Sequence, residues 1–234
     1  MRTIIIGDIH GCFDEFNELL DKISFDQEKD KLILLGDLID RGPFSFNVVE
    51  KVMNLKNEMG DRCVVIRGNH EQMLLDSVNG FGEDKRIWIR NGADTTIDSL
   101  LKNGTSPKAI SEWISTFPYY YEEERFICTH AGIPSTGLDS KDTYSFIWDR
   151  SIIYEGWYKG KFLICGHTPL MNCIYYNEDS KNPEIIKPGE YDLPKTGYID
   201  IDTGCVFGYK LTAMIIEGDK YKIEEVKSHQ KLID

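Results

Sequence analysis

The sequence has few basic residues, no long hydrophobic run and no closely paired cysteines, and each shortage excludes a class of protein. Lys and Arg together number 27 against 39 Asp and Glu, for a formal net charge of −12. A nucleic-acid-binding surface is normally basic, so we expect no nucleic-acid polymer as a partner. No apolar run approaches the roughly 20 residues of a membrane span, so we expect no membrane partner. The sequence leaves the oligomeric state open.

The six cysteines contain no Cys-x-x-Cys pair, and several lie in apolar, strand-like runs. A thiol in such a run is usually a small buried hydrophobe, so we expect reduced core cysteines rather than a disulfide or a zinc site. The first apolar run, Thr3–Ile6, leads at once into a polar motif and leaves no room for a signal peptide. We therefore expect a cytoplasmic protein.

The first third of the chain repeats one pattern three times: a short apolar run, a polar loop, and then apolar residues at helical spacing. The runs are residues 3–6, 31–35 and 63–66. This pattern is typical of a parallel βαβ array, and taken alone it favours a doubly wound α/β sheet. Ligands of such sheets collect at the carboxyl ends of the strands, which is where the polar loops lie.

The rest of the chain divides into a helical and a β-rich part. Residues from about 79 to 117 have a mostly helical pattern without metal-ligand motifs, and we expect them to flank or cover the cleft. Because the polar motifs extend from residue 7 to beyond residue 200, we expect one catalytic domain over residues 1–234. Further strands are expected at 125–129 and 161–165, and a meander at 198–202, 211–216 and 221–226.

Side chains with nitrogen or oxygen atoms that can bind a metal follow five of these strands. Asp8 and His10 are two residues apart and can point into one cleft, and Asp37 holds the same place after the next strand, where its carboxylate can bridge two cations. A set rich in oxygen and nitrogen without thiolate suits manganese, iron or zinc, and two such ions about 3.5–4 Å apart form a hydrolytic centre. The expected ligands are Asp8, His10, Asp37, Asn69, His130 and His167.

Three neighbouring residues are candidates for the chemistry itself. His70 follows Asn69 directly, so the two cannot easily bind the same ion, and His70 becomes a candidate general acid. Asp40 lies three residues beyond Asp37 and could pair with His70, which would raise the pKa of the imidazole. Arg41 is a planar donor that matches phosphate oxygens.

In this order, the motifs Gly-Asp-Ile-His-Gly, Gly-Asp-Leu-Ile-Asp-Arg-Gly, Arg-Gly-Asn-His-Glu, His-Ala-Gly and Gly-His-Thr-Pro resemble the phosphoprotein phosphatase branch of the calcineurin-like metallophosphoesterases. Residues 67–73, 147–150 and 201–204 are similar to its small bacterial and phage members, which are lambda-phosphatase-like. The resemblance implies an α/β, four-layer metallophosphoesterase fold, in which helices flank a central β-sandwich.

The resemblance also implies a division of the site residues. Asp8, His10 and Asp37 would hold one metal ion. His70 would be the acid with Asp40 as its partner, and Arg41, Arg150 and Asn69 would bind substrate. The second metal ion would be held by Asp37, Asn69, His130 and His167.

The expected function is that of a metal-dependent serine/threonine protein phosphatase, in which a hydroxide bound by two metals, most simply Mn²⁺ with iron or zinc as alternatives, attacks phosphorus. The alternative is a bis(5'-nucleosyl)-tetraphosphatase, whose leaving group is already a fair anion and needs an acid much less. A non-catalytic binding module is disfavoured because every expected ligand position is filled. The physiological substrate, a phosphoprotein or a phosphorylated small molecule, stays open.

Overall fold

The computed structural model describes residues 1–80, 82–156, 158–177 and 182–231. The strands are β1 (Thr3–Ile6), β2 (Lys31–Leu34), β3 (Cys63–Val65), β4 (Tyr120–Glu122), β5 (Phe126–Thr129), β6 (Phe162–Cys165), β7 (Cys173–Tyr176), β8 (Glu184–Ile186), β9 (Gly189–Asp192), β10 (Tyr198–Asp200), β11 (Lys210–Glu217) and β12 (Lys220–Lys227). The helices are α1 (Phe13–Lys22), α2 (Ser45–Met59), α3 (Asn69–Asn79), α4 (Gly82–Arg90), α5 (Ala93–Lys102), α6 (Pro107–Ser115), α7 (Thr143–Ile147) and α8 (Ser151–Glu155).

The strands form two mixed sheets of six strands each. The first has the order β3-β2-β1-β11-β12-β9, and the second β4-β5-β6-β10-β7-β8. In the first sheet β1, β2 and β3 are parallel, and in the second β5, β6 and β10 are parallel. The parallel strands of each sheet are joined to antiparallel partners, so neither sheet is doubly wound.

Successive residues of a strand pack in different cores, which shows how the sheets are stacked. In β1, Ile4 and Ile6 pack against the helices on one face, whereas Ile5 packs in the core between the two sheets. In β6, Phe162 lies in that same central core and Leu163 packs towards α7 and α8. A strand covered on both faces must be apolar throughout, which explains the unbroken run Thr3–Ile6. The layers are therefore helix, sheet, sheet and helix, which confirms the four-layer α/β fold.

Two expectations from the pattern alone are wrong. The doubly wound sheet is replaced by the two-sheet sandwich, because β11, β12 and β9 extend the first sheet with antiparallel strands, and the second half of the chain forms the whole of the second sheet. The meander is also wrong in part: β11 and β12 form an antiparallel hairpin, but β10 lies in the other sheet beside β6 and β7. Periodicity reports that a strand is buried on both faces, and it carries no information on which sheet receives the strand.

The segment from 79 to 117 forms α4, α5 and α6, apart from Phe81, which lies outside the described residues, as do residues 178–181 and 232–234. Helices α4 and α6 pack on α3, and α5 packs on α2. Ser106 caps α6 with its side chain, and Pro107 occupies the first turn. Among the described helices, none is long and apolar enough to cross a membrane. All six cysteines are buried and unpaired as disulfides, as expected.

Candidate active site

The polar side chains at the strand ends of both sheets meet in one place. β1, β2 and β3 of the first sheet lead into Asp8, His10, Asp37 and Asn69, while β5 and β6 of the second lead into His130 and His167. The cleft lies where the carboxyl ends of the two parallel triplets come together. All six of these side chains are buried, with at most 4% of each exposed.

Asp37 occupies the middle of the group. Its Oδ1 accepts a hydrogen bond from the backbone N–H of His70 at 3.0 Å. Its Oδ2 lies 3.4 Å from Nε2 of His10 and 3.5 Å from Nε2 of His130. Gly68 makes room for this carboxylate, because a Cβ at that position would lie 2.2 Å from Oδ1. One carboxylate oxygen is thus fixed by the protein while the other faces imidazoles on both sides, which is the arrangement of a bridging ligand.

Each of the three expected histidine ligands uses one ring nitrogen on a backbone carbonyl. His10 and His130 donate from Nδ1, and His167 donates from Nε2. The other nitrogen of each neutral ring then carries a lone pair that faces the cleft. The three acceptors are the carbonyl oxygens of Ile39, Leu35 and Trp148, at 2.7, 2.9 and 3.2 Å.

The lone pairs gathered around His130 fit a divalent cation. Nε2 of His130 lies 3.0 Å from Oδ1 of Asn69 and 3.2 Å from Nδ1 of His167. With His130 donating from Nδ1, no proton separates these acceptor atoms, so they repel one another unless a cation lies among them. Atoms about 2.1 Å from a common ion lie about 3.0 Å apart at a right angle and about 3.4 Å apart at a tetrahedral angle. The observed separations match that range, so the donor set suits a metal ion.

Asp8 is buried beside these ligand groups, and its assignment as a metal ligand stays a prediction. Three groups of potential ligand atoms come together among the described residues, and two of them lie in this cleft, His10–Asp37–His70 and Asp37–His130–His167; Asp8 belongs to none of the three. Its Oδ1 accepts the backbone N–H of His167 at 3.2 Å. Burial, with the charge of Asp202 next to it, raises the pKa of Asp8 well above its usual value. Asp8 therefore lies close to a second carboxylate, Asp202, and its Oδ1 is also 4.0 Å from Nδ1 of His130.

Two arginines line the cleft. Nη1 of Arg41 lies 2.6 Å from Nε2 of His10, and its guanidinium also lies over the ring of Phe207, 5.3 Å from the centroid. Nη2 of Arg150 donates to the carbonyl oxygen of His167 at 3.3 Å. Both are half-buried, and both place positive charge beside the expected ligands in a protein whose net charge is negative.

His70 and Asp40 form a buried pair. Nδ1 of His70 lies 2.7 Å from Oδ2 of Asp40, and neither side chain is exposed to solvent. Nε2 of His70 has no hydrogen-bond partner among the described residues, although it is buried and lies 3.9 Å from Oδ2 of Asp37. A buried ring nitrogen of this kind costs free energy unless a ligand uses it. The nitrogen is available to a group bound in the cleft.

Burial dominates the electrostatics of the site. It raises the pKa of Asp37 and of Asp40 to about 7. It lowers the pKa of His130 to about 4, and burial together with the charge of Arg41 lowers that of His70 well below its usual value. Loss of solvent and the neighbouring guanidinium thus determine the direction of the pKa shift of His70 in the metal-free protein, and the role of Asp40 in keeping the ring protonated stays a prediction.

Glu71 supports the loop after β2 and the start of α3, although it is not among the expected site residues. Its carboxylate accepts the backbone N–H groups of Asp37, Leu38 and Gly68, at 2.8, 2.8 and 3.0 Å. The buried Glu71 thus joins the loop after β2 to the start of α3. A carboxylate directly after the candidate acid His70, in the first turn of a helix, was a signal that could have identified it.

Two more side chains missed by the sequence analysis lie on the helical segment. Nε1 of Trp88 donates to Oδ2 of Asp40 at 2.8 Å, and the hydroxyl of Thr96 donates to Oδ1 at 2.6 Å. They belong to α4 and α5, where the sequence shows only ordinary helical periodicity. No local signal marks them, since their partner is about 50 residues away in the chain.

A family model described as calcineurin-like phosphoesterase matches residues 1–200. The chain is 31% identical to a symmetrical bis(5'-nucleosyl)-tetraphosphatase of Vibrio parahaemolyticus, over 91% of this chain and 94% of that protein. It is 30% identical to an asymmetrical bis(5'-nucleosyl)-tetraphosphatase of Halalkalibacterium halodurans, over 92% and 89%.

Among solved structures, a metallophosphoesterase from Sphaerobacter thermophilus superposes with a TM-score of 0.63 and covers 98% of this chain and 90% of its own. At 16% identity this likeness concerns the fold alone. The superfamily part of the sequence resemblance is confirmed. The narrower placement among the phosphoprotein phosphatases stays a prediction, and the curated relatives carry the name of the alternative.

Proposed function

Since this chain belongs to the calcineurin-like phosphoesterase family, we propose that it is a metal-dependent hydrolase of dinucleoside polyphosphates. The observation that carries the proposal is the similarity to tetraphosphatases along more than nine tenths of the chain. This reverses the order of the two functions expected from the motifs. The short stretches that favoured a protein phosphatase cover few residues, whereas the similarity to the tetraphosphatases extends along most of the chain.

The cleft supports hydrolysis at phosphorus. Two divalent ions would be held by Asp8, His10, Asp37, Asn69, His130 and His167, and would supply a polarised phosphoryl oxygen and activated water. We assign Mn²⁺ as the ion to test first, with iron and zinc as alternatives that the same ligands accept.

The arginines bind the substrate in this proposal. Arg41 and Arg150 donate hydrogen bonds to the oxygens of the reacting phosphate and neutralise the charge that water attack builds up. The phosphate that they bind brings negative charge next to His70. This charge favours the protonated imidazole and so opposes the effect of burial, which favours the neutral ring. His70 then donates a proton from Nε2 to the departing oxygen, while Asp40 holds Nδ1.

Serine/threonine protein phosphatase activity is the second candidate, and the buried His70–Asp40 pair favours it. A serine alkoxide is a poor leaving group and requires proton donation, whereas a nucleotide polyphosphate leaves as a fair anion. An acid held this firmly is more useful on a phosphomonoester. The pair is the specific reason to keep this candidate.

The two functions are separated by turnover with Mn²⁺ present. Diadenosine tetraphosphate and a phosphoserine/phosphothreonine peptide are compared at equal concentration, and the nucleotide products are separated by chromatography. We expect a higher kcat/KM on the nucleotide, with two ADP from symmetrical cleavage or ATP and AMP from asymmetrical cleavage. A clear preference for the peptide would overturn the first proposal in favour of the second. Activity that survives full removal of metal by a chelator would overturn both.

A further inference from the structure

The side chains of Thr96 and Trp88 bring the helical segment into contact with the His70–Asp40 pair. We propose that Thr96 and Trp88 are positioning residues, which hold the Asp40 carboxylate so that His70 is aimed at the leaving group. The inference rests on the proposed role of His70 as the acid. It gives α4 and α5 a part in the reaction beyond covering the cleft.

The Asp40 carboxylate is held by hydrogen bonds on both oxygens. Oδ1 accepts from the hydroxyl of Thr96 at 2.6 Å, and Oδ2 accepts from both Nδ1 of His70 and Nε1 of Trp88, at 2.7 and 2.8 Å. Thr96 has no exposed surface and Trp88 is 3% exposed. A buried carboxylate is retained only when such donors satisfy it. Thr96 and Trp88 thus fix the plane of the Asp40 carboxylate, and this orientation determines how the His70 ring is held.

The same helices also hold the backbone of this loop. The Asp40 N–H donates to the Thr96 hydroxyl oxygen at 2.8 Å, and the Arg41 N–H donates to the carbonyl oxygen of Gly92 at 3.0 Å. Asp40 and Arg41 have φ angles of 73° and 69°, in the left-handed region that residues other than glycine rarely adopt. Such a conformation persists only when its surroundings enforce it. Thr96 therefore acts twice, on the carboxylate and on the backbone that carries it.

Close packing completes the attachment of α5 to this loop. Gly92 has a φ of 97°, and a Cβ there would lie 2.9 Å from Cγ of Arg41. Ser45 Oγ lies 3.0 Å from the Thr96 hydroxyl oxygen and accepts the Asp40 N–H at 3.2 Å. A shift of α5 would thus move the acid pair and the neighbouring Arg41 together.

The experiment compares variants on substrates that differ in leaving group. Thr96→Val removes the hydroxyl at nearly constant shape, Thr96→Ser keeps it, and Trp88→Phe removes the indole N–H. Trp113→Phe is the matched control, because Trp113 lies on α6 and packs against Phe117, away from Asp40. The holoenzyme's kcat and KM are measured with Mn²⁺ on p-nitrophenyl phosphate, phenyl phosphate and an alkyl phosphate, whose leaving groups become progressively poorer.

We expect Thr96→Val and Trp88→Phe to lower kcat on the alkyl phosphate by about tenfold or more, the usual effect of removing an outer hydrogen-bond partner. The loss on p-nitrophenyl phosphate should be small, since its leaving group needs little proton donation. Thr96→Ser should restore the wild-type dependence on the leaving group, and Trp113→Phe should not change it. In an Asp40→Asn background, the part of the Thr96→Val effect that depends on the leaving group should largely disappear, because the carboxylate that orients His70 is gone.

Equal losses across the whole series would show that Thr96 and Trp88 act on general stability, and would overturn the inference. So would unchanged kinetics in both variants. If Thr96→Val does not fold, Thr96→Ser and Trp88→Phe still decide the question. The proposed function fails separately, when the wild-type protein prefers a phosphopeptide to diadenosine tetraphosphate. A wild-type protein inactive on the entire series would remove the acid role of His70 and, with it, the inference.

Discussion

Metal binding should be strongly dependent on pH, and the carboxylate of Asp37 sets the range. Burial raises the pKa of Asp37 to about 7, so in the metal-free protein this side chain is mostly protonated at pH 6 and mostly ionised at pH 8. A metal ligand must be ionised, so protons compete with the ion for Asp37. The histidine ligands do not compete in this range, because burial lowers their pKa values, that of His130 to about 4.

The magnitude follows from the pKa of Asp37 alone. With a value of about 7, the ionised fraction is about one eleventh at pH 6 and about ten elevenths at pH 8, so the apparent affinity for Mn²⁺ should rise about tenfold, or about 1.4 kcal/mol, between these pH values. The sign is fixed by the metal-free state, which carries more protons than the metal-bound state. Binding should release about 0.9 protons from Asp37 at pH 6 and about 0.1 at pH 8.

Isothermal titration calorimetry measures both quantities. Mn²⁺ is titrated into chelator-treated protein at about pH 6, 7 and 8 in pairs of buffers with different ionisation enthalpies, which yields the affinity and the proton release together. Asp61→Asn, a change at an exposed carboxylate, is the control and should leave both unchanged. An affinity that is constant from pH 6 to 8 would refute the reasoning, since Asp37 would then be ionised without metal despite its burial.

Three further predictions concern single side chains. His70→Asn should lower kcat on an alkyl phosphomonoester by about 10²- to 10⁴-fold and clearly less on diadenosine tetraphosphate; equal losses would remove the acid role. Glu71→Gln should lower the free energy of unfolding by about 2 kcal/mol, because an amide cannot accept all three backbone N–H groups. Denaturant unfolding checks this against Glu58→Gln on the surface, and equal stability of the two variants would contradict it. Arg41→Lys should raise KM more than it lowers kcat, since lysine cannot replace a planar pair of donors; steady-state kinetics with an unchanged KM would argue against phosphate contact.

Most of the site could be predicted because its residues follow buried strands directly. His10, Asp37, Asn69 and His130 each come within a few residues of a strand end, and parallel strands bring their carboxyl ends to one edge. The sequence therefore indicated that these side chains meet in one place as well as which atoms they offer as ligands. The contact of Asp8 with Asp202 could not be predicted, because Asp202 follows a strand of the other sheet. That contact arises from sheet stacking, which strand periodicity does not encode.

The fold was predictable to the level of its elements and less so for their assembly. The strands β1, β5 and β6 lie within one residue of their expected bounds, since an apolar run of four or five residues limits a buried strand closely. The position of β10 between β6 and β7 was not predictable, because it requires a crossover that leaves the meander. The roles of Thr96 and Trp88 were not predictable for a related reason. Their hydrogen bonds to Asp40 form only when α4 and α5 have packed on the rest of the fold.

Backbone strain distinguishes the chemically important part of this cleft from the rest of the fold. Among the described residues, the non-glycine positions with positive φ are Ser24 and five residues of the site, namely His10, Asp37, Asp40, Arg41 and His167. Each left-handed residue costs about 1 kcal/mol, so together they remove a considerable part of a typical folding free energy. Folding alone gives no reason to keep them, since glycine or asparagine would relieve the strain. They are retained because extended strands would carry these side chains past the cleft. A left-handed residue in the loop that follows the strand turns the chain, so that carboxylate, imidazole and guanidinium groups all point into the cleft.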